Sequence, residues 1–155
     1  MLRFKILASA VPLILAGVFA RGELLPGPRP CIEAGGLSVQ LATAPWHADL
    51  HVAFTDDPLA ATVRVQIVDN VETADFVVVD DVDNADSSAC EAGPAARFVA
   101  IAAYPSASQP TIYLSQDGEA DYRIFVRSKT FSARDAAALI VGANGGHPRI
   151  TAASL

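Results

Sequence analysis

The chain has 155 residues, 52% of them apolar and 18% charged, enough to bury the core of one domain but not of two. Its 11 Lys and Arg stand against 17 Asp and Glu, a net charge of −6. Such a body repels phosphate backbones and anionic membrane surfaces, so neither nucleic acid nor a lipid surface is an expected partner.

Residues 1–20 place two cations, Arg3 and Lys5, before an uncharged apolar run from Ile6 that ends Val18-Phe19-Ala20. The run is shorter than the roughly 20 residues a bilayer crossing needs. Its order of charged, apolar and small residues is that of a secretory signal cleaved near Ala20, which implies a periplasmic or secreted protein. The other reading is an uncleaved membrane anchor, the only case in which a membrane contact is expected. Residues 21–36, with three prolines and a glycine between Leu24 and Pro30, read as an extended tether ending in a turn. In an oxidising compartment the only two cysteines, Cys31 and Cys90, are expected to form a disulfide. Closing a loop of that length is worth about 4 kcal/mol on a chain-entropy account. Neither cysteine has the spacing of a metal or redox motif.

A single β-rich domain is expected over residues 37–144. Leu37 to Leu41 alternates as a strand should. Trp46, the only tryptophan, is expected to cover one end of the core. A short phrase then recurs every 13 residues, as Ala48-Asp49-Leu50-His51-Val52, Ala61-Thr62-Val63-Arg64-Val65 and Ala74-Asp75-Phe76-Val77-Val78. Its period-two pattern points Leu50, Val52, Phe54, Val63, Val65 and Ile67 one way and His51, Arg64 and Gln66 the other. Phe76 to Val79 is apolar on both faces and so is expected to be the most buried strand. The connections of about six residues are too short for a parallel crossover of a dozen or more, which predicts antiparallel hairpins. Further strands are expected at Arg97–Tyr104, Thr111–Leu114 and Ala120–Arg127. Ser132 with Asp135 forms a capping box for a helix of about ten residues, stopped at Asn144-Gly145-Gly146. Residues 145–155 read as a loose tail. The expected fold is therefore mainly β, an antiparallel sheet or small sandwich of about 6–7 strands with one C-terminal helix.

The phrase over Ala48 to Asp81, returning at Ala120 to Ala133, resembles a family of uncharacterised small bacterial domains built from tandem Ala-Asp-hydrophobic-x-Val strand repeats. The resemblance implies a fold and carries no activity, cofactor or catalytic residue.

Two groupings invite a chemical reading. His47 and His51 are four apart but lie at a loop entering a strand, without the Glu of a His-Glu-x-x-His metal motif. Asp56, Asp57, Asp69, Asp80, Asp81, Asp83 and Asp86 fall at strand ends. In a meander, Asp56 and Asp57 would approach Asp80, Asp81 and Asp83 as candidate calcium ligands. The glycine and terminal Glu of a calcium loop are absent, and aspartate is equally a turn and solubilising residue, so the reading carried forward is solvated turns. No nucleophile elbow or phosphate-cradling glycine loop is present. The function expected is an exported, non-enzymatic binding or structural module without a cofactor, meeting a protein partner through an exposed strand edge. The competing readings are an envelope hydrolase or metal-dependent enzyme built on the acidic strand ends, and a membrane-anchored accessory subunit.

Overall fold

A computed structural model describes residues 31–34, 36–80 and 96–148. The signal, most of the tether, Cys90, Asp81, Asp83, Asp86 and the tail beyond Pro148 lie outside these residues. Eight strands, β1 (Cys31–Ala34), β2 (Leu37–Leu41), β3 (Leu50–Thr55), β4 (Val63–Ile67), β5 (Phe76–Val79), β6 (Arg97–Ile101), β7 (Thr111–Ser115) and β8 (Tyr122–Arg127), precede one helix, α1 (Ala133–Ala143). The architecture is thus mainly β with a single C-terminal helix. The sheet begins earlier than expected, since Cys31–Ala34 pairs with β2 through a turn at Gly36, whose φ is +80°.

The topology corrects the antiparallel expectation. All eight strands form one sheet in the order β1-β2-β6-β3-β7-β4-β8-β5, curled into a half-barrel. Only β1 and β2 are antiparallel; every other neighbouring pair is parallel. The strands of the first half of the chain thus interleave with those of the second.

Parallel pairing with short loops is possible because the strands are staggered. Leu41 and Leu50 flank Val99, Phe54 and Val63 flank Ile112, and Ile67 and Phe76 flank Ile124. Each time, the chain leaves one strand and starts the next at the same level, displaced sideways by two strand spacings, about 10 Å. It never travels back along the strand it has just left. The dozen-residue crossover applies to strands that start level with one another, and these do not.

The alternation along β3 and β4 holds. Leu50, Val52, Phe54, Val63, Val65 and Ile67 all join the core, with Val39, Val99, Ile112, Tyr122 and Ile124. Helix α1 lies on this core face, chiefly against β1, β2 and β6. Its capping box is formed as expected: Ser132 Oγ accepts from the Asp135 backbone N–H, and Asp135 Oδ2 accepts from the Ser132 N–H. Ala136 to Gly142 are all buried. Seven consecutive buried residues go right round the helix, which fits their wholly apolar composition. A Cβ on Gly142 would lie 2.3 Å from Val99 Cγ2, so only glycine lets the helix come this close to β6. The helix ends where predicted, with Gly145 and Gly146 at φ +71° and +81° and the Gly146 N–H bonded to Val141 O. His147, expected in the loose tail, is fastened by the Tyr122 hydroxyl, which donates to its carbonyl at 2.8 Å.

Two burial expectations are overturned. Strand β5 is the sheet margin, not the most buried strand: Phe76 and Val78 face the core, but Val77 and Val79 are 47% and 53% exposed. An apolar run alone does not distinguish a strand covered on both faces from an edge with an uncovered outer face. Trp46 is 80% exposed on a 3-10 turn, its ring edge-on to His47, and covers no part of the core.

Candidate functional site: an open sheet edge beside a polar groove

The residue that opens each copy of the phrase has a defined task. The Asp49 backbone N–H donates to Phe98 O, while its carboxylate accepts from the Phe98 N–H at 2.8 Å. Asp75 does the same with Arg123, and Asp121 with Arg64. Thr62 does it with Thr111, its hydroxyl replacing the carboxylate and accepting from the Thr111 N–H at 2.8 Å. Each is a two-point bracket that fastens the start of one strand to a strand far along the chain. A side-chain oxygen takes the place of the carbonyl that would have continued the ladder. The sequence reading gave these residues no task beyond opening the phrase. The signal available was their fixed place before a strand, with Thr62 as the substitute that also offers an oxygen.

Asp80 closes β5 in a related way. Its carboxylate accepts from the Lys129 backbone N–H and from the Ser128 and Thr130 hydroxyls, tying the end of β5 to the loop between β8 and α1. The Lys129 N–H first, then the two hydroxyls, hold its carboxyl down from 3.8 to about 2.

Among the described acids, Asp56 and Asp57 do not approach Asp80. Asp57 Oδ1 accepts from the Leu59 N–H in a local turn, and Asp56 is exposed beside it. Asp57 follows β3 and Asp80 follows β5, four strand spacings apart, or about 19 Å along the sheet. Among the described residues no group of three or more His, Cys, Asp or Glu is placed to hold a metal ion. His47 is exposed, and His51 sits half-buried on the outer face of β3.

On that outer face a groove of about 660 Å³ is lined by Thr62, Arg64, Gln66, Asp75, Asp121 and Arg123, among others. Its polar groups are largely engaged. Arg64 Nη2 donates to Pro58 O at 3.3 Å, Gln66 Nε2 to Gln116 O at 3.0 Å, and Arg123 Nε lies 3.6 Å from Asp75 Oδ2. Both aspartates and Thr62 are bracket residues whose oxygens already accept backbone N–H groups, while Glu119, exposed on the same lining, is not a bracket residue.

Next to this groove the sheet ends. Among the described residues, β5 pairs only with β8, and no described strand lies on its other side. Its sequence Phe-Val-Val-Val contains no Lys, Pro or Gly, the residues with which sheet margins are commonly protected from pairing. Beside exposed Val77 and Val79, Phe125 on β8 is buried beneath the Arg127 guanidinium, 5.2 Å from its ring centre.

No family model, curated protein or solved structure matches this chain.

Proposed function

We propose that this chain is an exported, non-catalytic binding module of the cell envelope, which recruits an extended segment of another protein along β5. The supporting observation is the margin itself: a β-branched strand with two exposed valines, unprotected by charge or proline, held rigidly by a bracket at one end and the Asp80 latch at the other. Strand addition at such an edge supplies main-chain hydrogen bonds for affinity and leaves side chains to choose the partner. The reading of residues 1–20 as a signal, the Cys31–Cys90 bond and the resemblance to the tandem-repeat domains belong to the same proposal. Export and the disulfide are tested together by the intact mass of the secreted protein before and after reduction and alkylation. A chain starting near Arg21 with no alkylatable thiol is expected. A full-length chain with two free thiols removes both. The recruiting edge is tested by a photo-crosslinking side chain installed at position 77 and, separately, at position 51 on the outer face of β3. Adducts are expected at 77 and not at 51; equal labelling at both, or none at 77, rejects the edge as the docking site.

A further inference from the structure

We infer that the outer-face groove is a binding site for a small zwitterion, a molecule carrying both an ammonium and a carboxylate group, such as a free amino acid or a short peptide. The inference rests on the groove and not on β5, so it stands or falls apart from edge recruitment. The segment joining β7 to β8 must cross β4, which lies between them, and it does so as an arch over the outer face. Gln66 Nε2 holds one foot of the arch at Gln116 O, 3.0 Å away, and the Asp121 bracket onto Arg64 holds the other. Near its top Gly118 takes φ +91°, a left-handed backbone with open space where a Cβ would stand. Glu119 is the next residue. Both feet stand on β4, so the walls of the groove are formed before any ligand arrives.

Five ionisable side chains line the groove: Arg64, Asp75, Glu119, Asp121 and Arg123. Three are already engaged within the fold. Asp121 accepts from the Arg64 backbone N–H, and Asp75 accepts from the Arg123 N–H with Arg123 Nε 3.6 Å away. Arg64 and Glu119 differ from these. They carry opposite charges on one lining, yet among the described residues neither forms an ion pair with the other or with a third group. Arg64 is half-buried and uses one N–H of its five, on Pro58 O at 3.3 Å. The Glu119 carboxylate is exposed and bonds to no described residue. A guanidinium partly withdrawn from water without a charged partner gains most from a carboxylate that takes two of its N–H groups at once.

A simple anion drawn to Arg64 would face three carboxylates on the same walls, and a simple cation drawn to Glu119 would face two guanidinium groups. A zwitterion answers both charges and adds none to the groove, so it is selected over either ion. A metal ion does not fit, since among the described residues no three His, Cys, Asp or Glu are grouped to hold one. The volume of about 660 Å³ lies within the roughly 300–1,000 Å³ of small-molecule sites. The apolar lining is Ala61, Gly118 and Ala120, which offers no recess for a large apolar side chain. The favoured zwitterion therefore has small or polar side chains.

The test titrates the purified chain by calorimetry with alanine, Ala-Ala and Ala-Ala-Ala, each free, N-acetylated, or amidated at its C-terminus. A free form is expected to bind, and the length that binds best tells an amino-acid site from a peptide site. Blocking either end of that compound is expected to weaken it about tenfold or more. Arg64→Gln is expected to erase the preference for a free carboxylate and keep the preference for a free amine. Glu119→Gln is expected to do the reverse, a split that general damage to the fold would not produce. Val77→Lys is expected to bind as the unchanged chain does. No binding by any free form, or equal binding of free and blocked forms, overturns the inference. Variants that lose both preferences together, or neither, overturn the assignment to Arg64 and Glu119. Loss of binding in Val77→Lys moves the site to the β5 edge and overturns the groove.

Discussion

The two ends of the sheet are built on opposite principles. At the β1 end a glycine turn returns the chain on itself, Cys31 and Val39 are buried, and α1 packs across β1, β2 and β6. At the β5 end the final strand exposes half of its side chains, and its fixings are hydrogen bonds to carboxylates: Asp75 onto Arg123 and Asp80 onto Ser128, Lys129 and Thr130. One end is held by the removal of apolar surface from water, the other by ionised acceptors. The first type of stabilisation is insensitive to pH, while the second depends on the carboxylates remaining charged.

The largest effect is expected where the helix meets the sheet. Leu139→Ala should leave a cavity under α1 and cost about 2–5 kcal/mol in denaturant unfolding. Gly142→Ala follows, because its Cβ would stand 2.3 Å from Val99 Cγ2; about 1–3 kcal/mol is expected. Adding Val99→Ala should return part of that loss, and a strictly additive double-mutant cycle would show that the contact is not what requires glycine.

The brackets come next. Asp121→Ala leaves the Arg64 N–H without its acceptor, for an expected loss of about 1–3 kcal/mol. Thr62→Asp, by contrast, should be close to neutral, since three equivalent positions already use aspartate. A large loss on Thr62→Asp would mean that the brackets are not interchangeable.

The β5 end should also separate from the β1 end by its response to acid. The folded-state pKa of Asp80, about 2, lies below its ordinary 3.8. The stabilisation it gives is therefore complete above pH 3.8, declines as the pH falls toward 2, and is lost below that. Asp80→Asn should lower stability at neutral pH and flatten its pH dependence between 4 and 2, measured by unfolding at a series of pH values. The smallest effect on stability is expected from Val77→Lys, within about 0.5 kcal/mol because the side chain is half exposed. Its consequence should appear in partner binding alone.

The groove and the edge were legible in the sequence to different degrees. The alternation that turns Arg64 and Gln66 outward was readable, because a strand's side-chain period is local. The task of Asp75 and Asp121 was not, since each aspartate bonds a backbone N–H about fifty residues distant in the chain. Asp56 and Asp80 looked like neighbours only under a meander; interleaving puts three strands between the strands they follow.

By itself the sequence determined what rests on short range: where seven of the eight strands run, which faces of β3 and β4 are apolar, and where α1 starts and stops, through the Ser132–Asp135 box and the two glycines. Tertiary structure decided strand direction, order and edge. Loop length excludes parallel pairing only if strands start level, and the stagger that lets Leu41 and Leu50 flank the same Val99 is a property of the assembled sheet. For the same reason β5, the most apolar of the repeated strands, became the open margin. Its composition sets what it can bury, but only the strands beside it determine whether it does.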